Sequence, residues 1–159
     1  MPFAIRDFKQ SDFDTLWRID QTCFAPGISY SRAELKLYIR RPGSFTLVAE
    51  DGSASASGIA GFLVAEAERG SGHIITIDVV AAARRSGVGS LLLSTAEERL
   101  RAARCRSVEL ETAVDNISAL SFYKRHGYSV VRTYPRYYSN GVDALILEKS
   151  LVAAGEHPV

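Results

Sequence analysis

Two arginines, two glycines and the head of a helical pattern stand together at Arg84-Arg85-Ser86-Gly87-Val88-Gly89-Ser90. The apolar stretch Ile77-Asp78-Val79-Val80 runs into this turn, and Leu91-Leu92-Leu93 continues the helical pattern behind it. The chemistry such a turn can do is anion binding. The first N–H groups of a helix lack an intrahelical acceptor, and the helix dipole places partial positive charge on them. Gly87 and Gly89 carry no Cβ, so a ligand can approach the backbone, and Arg84 and Arg85 add full charge. A phosphate or pyrophosphate suits this arrangement. Two nucleotide patterns are excluded by spacing: no Lys-Ser/Thr follows the second glycine, and no third glycine stands in register for a dinucleotide fingerprint.

A second constellation lies downstream in Leu110-Glu111-Thr112-Ala113-Val114-Asp115-Asn116-Ile117-Ser118-Ala119-Leu120-Ser121-Phe122-Tyr123. Glu111 ends an expected strand, and Glu109 shares its face by period-two alternation. A carboxylate so placed can accept a proton from a reacting group. Tyr123 shares a helix face with Asn116 and Leu120, and Asn116 or Asp115 can cap that helix.

These residues need elements to position them. The pattern predicts a strand over Phe3 to Phe8 and a helix capped by Ser11 or Asp12 and running toward Phe24. A second helix is capped by Ser31 with Glu34 as its capping box, and carries Leu35, Leu37, Tyr38 and Ile39. Three strands joined by tight turns follow (Phe45 to Glu50, Ile59 to Glu68, His73 to Val80), with a small-residue hairpin loop from Asp51 to Gly58. A long helix from about Ser86 to Ala103 shows Leu92, Ala96, Leu100 and Ala103 as its buried stripe. A strand over Val108 to Thr112 runs parallel to its predecessor. The helix bearing Ile117, Leu120 and Tyr123 ends at Gly127. Strands over Tyr128 to Tyr134 and Val142 to Lys149 close the chain, and the tail from Val152 frays. The order is β-α-α-β-β-β-α-β-α-β-β. The fold class is α+β, a single mixed sheet flanked by helices, and residues 1–151 form one domain.

Bulk properties exclude several classes. At 159 residues and 47% hydrophobic, the chain has material for a full core. The net charge of +1 implies no general grip on nucleic acid. Arg84, Arg85, Arg99, Arg101, Arg104 and Arg106 make one region locally basic. No run approaches transmembrane length and Met1 to Arg6 opens no signal sequence, so a cytoplasmic protein with no membrane partner is expected. Cys23 and Cys105 form no disulfide framework. Neither is placed near the glycine-turn motif, so no acyl-enzyme is expected. His73, His126 and His157 are scattered without ligand spacing, and no metal is expected.

The whole arrangement resembles the GCN5-related N-acetyltransferase (GNAT) family. Arg84-Arg85-Ser86-Gly87-Val88-Gly89 matches that family's Gln/Arg-x-x-Gly-x-Gly/Ala turn. The segment Leu110 to Tyr128, with Tyr137-Tyr138-Ser139-Asn140-Gly141-Val142-Asp143-Ala144, is similar to the N-terminal (Nα) protein acetyltransferase branch, which includes the ribosomal-protein S18-alanine type. The resemblance implies acetyl-CoA as co-substrate. Its pyrophosphate would lie on Arg84, Arg85, Ser86, Gly87, Val88, Gly89 and Ser90, its pantetheine arm along the backbone of Ile77, Asp78 and Val79, and Asn116 would add a hydrogen bond. Glu111 is implied as general base, with Glu109 as substitute, and Tyr123 as the acid that protonates the leaving thiolate. Phe24, Ile28 and Tyr30 on one loop, and Tyr137 and Tyr138 on another, would flank a peptide N-terminus. Two departures stand out. Phe24-Ala25-Pro26-Gly27-Ile28-Ser29-Tyr30 lacks the tryptophan of the common Phe-Pro-Trp, and Asp78 replaces a small or apolar residue. The expectation is direct acetyl transfer to the α-amino group of a protein or peptide, by a monomer or weak dimer. A small-amine acetyltransferase and a non-catalytic CoA sensor are the alternatives.

Overall fold

The computed structural model describes residues 3–51 and 58–152; segment 52–57, most of the expected hairpin loop, and the tail 153–159 lie outside them. The strands are β1 (Phe3–Asp7), β2 (Ser44–Asp51), β3 (Ile59–Glu68), β4 (Ser71–Val79), β5 (Ser107–Ala113), β6 (Ser129–Tyr134) and β7 (Ala144–Ser150). The helices are α1 (Phe13–Cys23), α2 (Arg32–Arg40), α3 (Val88–Ala102) and α4 (Ile117–Arg125). The sheet runs β1-β2-β3-β4-β5-β7-β6, and only β4 and β5 pair in parallel. The expected element order and mixed sheet are therefore observed.

Local chemistry sets most helix ends. Ser31 Oγ accepts the Glu34 N–H at 3.1 Å while Glu34 Oε1 accepts the Ser31 N–H at 2.9 Å, closing the capping box of α2. Asn116 Oδ1 accepts the Ala119 N–H at 3.1 Å and caps α4. Gly127, at φ +92°, releases the chain after α4. Asp12 behaves differently from the expectation. It precedes α1 but caps it with no side-chain bond; its carboxylate takes the Lys9 N–H at 2.7 Å and the Arg6 guanidinium, bracing a 3-10 turn over Gln10–Asp12.

Helices α1 and α2 pack on one face of the sheet around Leu16, Leu35, Phe62 and Val64. Helices α3 and α4 pack on the other around Leu92, Ala96, Leu100 and Tyr123. Each wholly buried leucine contributes about 1.5–3 kcal/mol. Three residues assigned to apolar stripes are not in them. Leu37 is 60% and Ile117 65% exposed, and Ala103 is exposed. Leu37 lies two positions from Leu35 and so points to the far side of a 3.6-residue helix. Ile117 is the first residue of α4, and Ala103 is the residue on which α3 ends.

Two irregularities in β4 build the site. An extra residue at Ile75 bulges the strand against Val64 and Ala65 of β3. Strict alternation from Ile74, which faces α3, would drive Asp78 into that apolar core. The bulge reverses the sides, so Ile77 and Val79 pack toward the α3 cluster while Asp78 meets α1. The second irregularity is a split. Pairing between β4 and β5 is confined to Ser71–His73 against Ser107–Glu109, after which β4 stays with β3 and β5 with β7. The two strands diverge, and an opening passes between the faces of the sheet.

Candidate active site

Glu111 sits on β5 just beyond the last parallel pair, at the mouth of the opening. Both of its carboxylate oxygens bond His73 Nε2, at 2.8 and 2.9 Å. His73 Nδ1 lies 3.7 Å from Glu66. Burial alone would lower the His73 pKa, but the bond to Glu111 and the charges of Glu111, Glu66 and Glu109 outweigh it, and the imidazole is raised above its ordinary value. His73 is the site residue that sequence reasoning missed. Its partner is 38 positions away, and only the parallel register brings them together. Glu109, expected as the substitute base, is engaged by Arg132 at 3.2 Å on the same face.

Tyrosines surround this carboxylate. Tyr137 Oη donates to Glu111 Oε1 at 3.5 Å, and burial together with Glu111 pushes its pKa up to about 12. Its ring stands edge-on between Tyr134 and Tyr138, at centroid distances of 5.4 and 5.0 Å. Tyr123 belongs to the core on the α3–α4 side, 7% exposed. Its hydroxyl nevertheless feels Asp78, Tyr138 and Glu111 across the opening, and burial first, then those charges, holds it firmly protonated.

The loop after α1 and the loop before β7 meet as two walls. Ser139 N and Oγ both donate to the Gly27 carbonyl, at 3.2 and 3.0 Å. Gly27 has φ +90°, and a Cβ there would stand 2.7 Å from Asn140 Cβ. Gly27→Ala is therefore expected to lower Tm by about 2–8 °C, measured by thermal denaturation, as the two loops separate. Tyr30 is fixed at every polar atom. Its N–H bonds Asp20 Oδ2 at 2.7 Å, its carbonyl accepts from Trp17 at 3.2 Å and Gln21 at 2.7 Å, and its hydroxyl donates to the Ile75 carbonyl at 3.2 Å. Phe24 caps the end of α1, and Ile28 turns the loop back by donating to the Ala25 carbonyl at 2.9 Å.

On the other side of the opening lies the glycine turn. Gly87, at φ +90°, is the N-cap of α3 and offers no side chain, so the first amides of α3 face outward uncapped. Arg85 is also left-handed, at φ +65°. Two such residues in a short turn curl the backbone N–H groups around a concavity suited to an anion. Gly89 serves packing as well: a Cβ there would meet the Phe122 ring of α4 at 3.4 Å. Ser90 Oγ bonds His126 Nε2 at 2.8 Å, and His126 Nδ1 donates to the Phe122 carbonyl at 2.8 Å. The Val80 N–H bonds Ala60 of β3, so by ladder alternation the polar groups of Ile77 and Val79 lie on the open edge of β4.

One expectation is corrected. Cys23 is brought to the motif, its thiol 3.4 Å from the Val79 carbonyl and 3.8 Å from Arg84 Nη2. Burial, then the nearby Asp78, raises its pKa, so it is held as a neutral thiol rather than a nucleophilic thiolate. Cys105 is buried. The described residues contain no group of three side chains able to hold a metal, and no helix among them is long and apolar enough to cross a membrane. The basic region is partly engaged: Arg99 pairs with Asp7 at 2.7 Å, and Arg101 bonds the Leu151 carbonyl at 3.2 Å.

A split mixed sheet, an uncapped glycine turn and a carboxylate at the mouth of the split define a class of acyl-transferring fold, and comparison with known proteins agrees. The acetyltransferase (GNAT) family model matches residues 13–128. An uncharacterised N-acetyltransferase of Methanocaldococcus jannaschii is 32% identical over 146 residues, 91% of this chain and 90% of that protein. An N-alpha-acetyltransferase of Sulfurisphaera tokodaii is 32% identical over 81 residues, 50% of this chain and 48% of that protein. The crystal structure of Ard1 from Thermoplasma volcanium superposes with a TM-score of 0.85 at 28% identity, covering 96% of this chain and 100% of that one. The chain belongs to the GNAT family. It is an acetyl-CoA-dependent N-acetyltransferase.

Proposed function

We propose that the acceptor is the α-amino group of a protein or peptide N-terminus, and that Glu111 deprotonates it. The observation that carries this reading is the Glu111 carboxylate at the opening between β4 and β5, held from behind by His73 and flanked by Tyr137. An amine held between the two loop walls can reach Glu111 directly or through one water. The wall tyrosines Tyr30, Tyr137 and Tyr138, with Phe24 and Ile28, suit an extended peptide end, and the similarity to a protein named N-alpha-acetyltransferase supports that class of acceptor.

The donor residues fit acetyl-CoA. The uncapped α3 amides of Val88, Gly89 and Ser90, with Arg84, Arg85, Ser86 and Gly87, would hold its pyrophosphate. The open β4 edge at Ile77 and Val79, beside Asp78, would align its pantetheine, and Asn116 would add one bond. The Val79 N–H would polarise the acyl carbonyl. The nitrogen lone pair then forms the new N–C bond while the C–S bond breaks. Glu111 takes the proton the amine loses, and the Tyr123 hydroxyl supplies one to the sulfur. The route is direct, because Cys23 is held as a thiol.

Tyr123→Phe keeps the ring that packs at 5.8 Å from Tyr128. It is expected to lower kcat about 100-fold with the acetyl-CoA KM unchanged, read by steady-state kinetics; an equal rise in acetyl-CoA KM would make Tyr123 a packing residue.

The reading is tested by CoA release with three acceptor sets: free-N-terminus peptides, the same peptides N-blocked but carrying lysine, and polyamines. Turnover confined to free N-termini supports the reading, and turnover confined to small amines sinks it. The second reading, a small polycationic amine, draws on Glu66, Glu109 and Glu111 around His73.

A further inference from the structure

The acetyl transfer proposed above gives the side chain of Asp78 no task. It is 1% exposed, and the carboxyl it faces, Asp20 of α1, is 0% exposed. Each carboxyl spends one oxygen on a neighbour. Asp20 Oδ2 takes the Tyr30 N–H at 2.7 Å, and Asp78 Oδ1 takes the Thr76 hydroxyl at 2.5 Å. The remaining atoms, Asp20 Oδ1 and Asp78 Oδ2, have no other partner, and the two side chains lie within hydrogen-bonding reach of each other. A single proton between those two oxygens satisfies both.

We infer that Asp20 and Asp78 share one proton, and that this proton locks the acceptor-side loop, through the Tyr30 N–H, to the strand that lines the reaction centre. The role of the loop as acceptor wall rests on the reading proposed above; the lock itself does not. Asp20 and Asp78 are positioning residues that touch no substrate.

The surroundings oppose a second negative charge. Glu34 of α2 and the Tyr30 phenol face Asp20, while Cys23 at the end of α1 and Tyr123 of α4 face Asp78. Arg84 bonds Cys23 and the Val79 carbonyl rather than Asp78, and no ion pair among the described residues engages either carboxyl. Burial, then Asp20, raises Asp78 well above the ordinary carboxyl range, and burial raises Asp20 as well. The folded pair therefore keeps a proton that the unfolded chain has released. Stability is fullest below the unfolded value near 4 and falls as pH rises toward the folded value. Once the proton is gone, two anions repel and Tyr30 is released.

Asp78→Asn tests this, because an amide donates to Asp20 Oδ1 and accepts from Thr76 with no proton to lose. Tm and the hydrogen-exchange protection of the Tyr30 amide are followed between about pH 5 and 9 in wild type and variant. In the wild type Tm should decline with pH, and Tyr30 protection should fall up to about tenfold per pH unit between the unfolded value near 4 and the pair's folded titration, then level off. In Asp78→Asn both should be flatter. Superimposable profiles overturn the inference. Should the variant not fold, infrared spectra of wild type carrying 13C-labelled aspartate decide. A protonated-carboxyl band that disappears in step with Tyr30 protection supports the shared proton, and its absence at neutral pH overturns it. None of these readouts uses an acceptor, so they stand or fall apart from the choice of amine.

Discussion

Gly89→Glu is expected to abolish CoA binding, with at least about a 100-fold loss of affinity measured by calorimetry. Gly89 lies in the first turn of α3, whose amides are uncapped, and a carboxylate placed there would occupy the positive end of the dipole that the pyrophosphate needs. Position 89 also faces the Phe122 ring at 3.4 Å and Val79 at 3.7 Å, so bulk alone could disturb α4. Gly89→Ala separates the two causes. Its methyl makes only those near-normal contacts, and alanine favours the helix by about 1 kcal/mol, so this variant should fold and retain CoA. Undiminished affinity in Gly89→Glu would mean that the pyrophosphate lies elsewhere; equal losses in both variants would assign Gly89 to packing.

Glu111→Gln is expected to lower kcat/KM for the acceptor by about 10²–10⁴-fold while acetyl-CoA affinity holds. The deficit should be deepest at lower pH, where the amine holds its proton most firmly. The same substitution carries an independent signature at His73. The imidazole is raised by its bond to Glu111 and by surrounding carboxylates, against the pull of burial. Removing the Glu111 charge should lower the His73 pKa, read by NMR titration. The linkage has a definite sign. A raised histidine contributes stability that is fully present below its unfolded value near 6.5 and is lost as pH climbs through the folded value. Glu111→Gln should flatten that decline. If activity survives and His73 still shifts, the ion pair is structural and the base lies elsewhere, with Glu109 the nearest alternative on the same face.

What was legible in the sequence is what local chemistry controls. Ser31 with Glu34, Asn116 before α4 and Gly127 after it are caps written within a few residues of the turns they close. The strand and helix order follows from periodicity and breakers, and the glycine turn announces an anion site because a helix N-terminus has the same free amides in any fold. Leu37 and Ile117 show the limit: helical phase and terminal position outweigh apolar identity, and both side chains face solvent.

The sequence by itself determined the family and the element order, and it put forward a carboxylate, a tyrosine and a glycine turn as candidates for base, acid and anion site, because each depends on residues near one another along the chain. Tertiary structure alone decided how they act together. The Ile75 bulge turned Asp78 from the α3 core to Asp20, 58 positions away, and the packing of α1 on the sheet brought Cys23 to Val79, which spacing had set apart. The divergence of β4 from β5 opened the passage through which Tyr123, on one side of the sheet, senses Glu111 on the other. Parallel register placed His73 against Glu111. Bulge, split and register are properties of strand pairing across long sequence separations, where a one-residue shift exchanges the faces of a strand, and no local pattern encodes that choice.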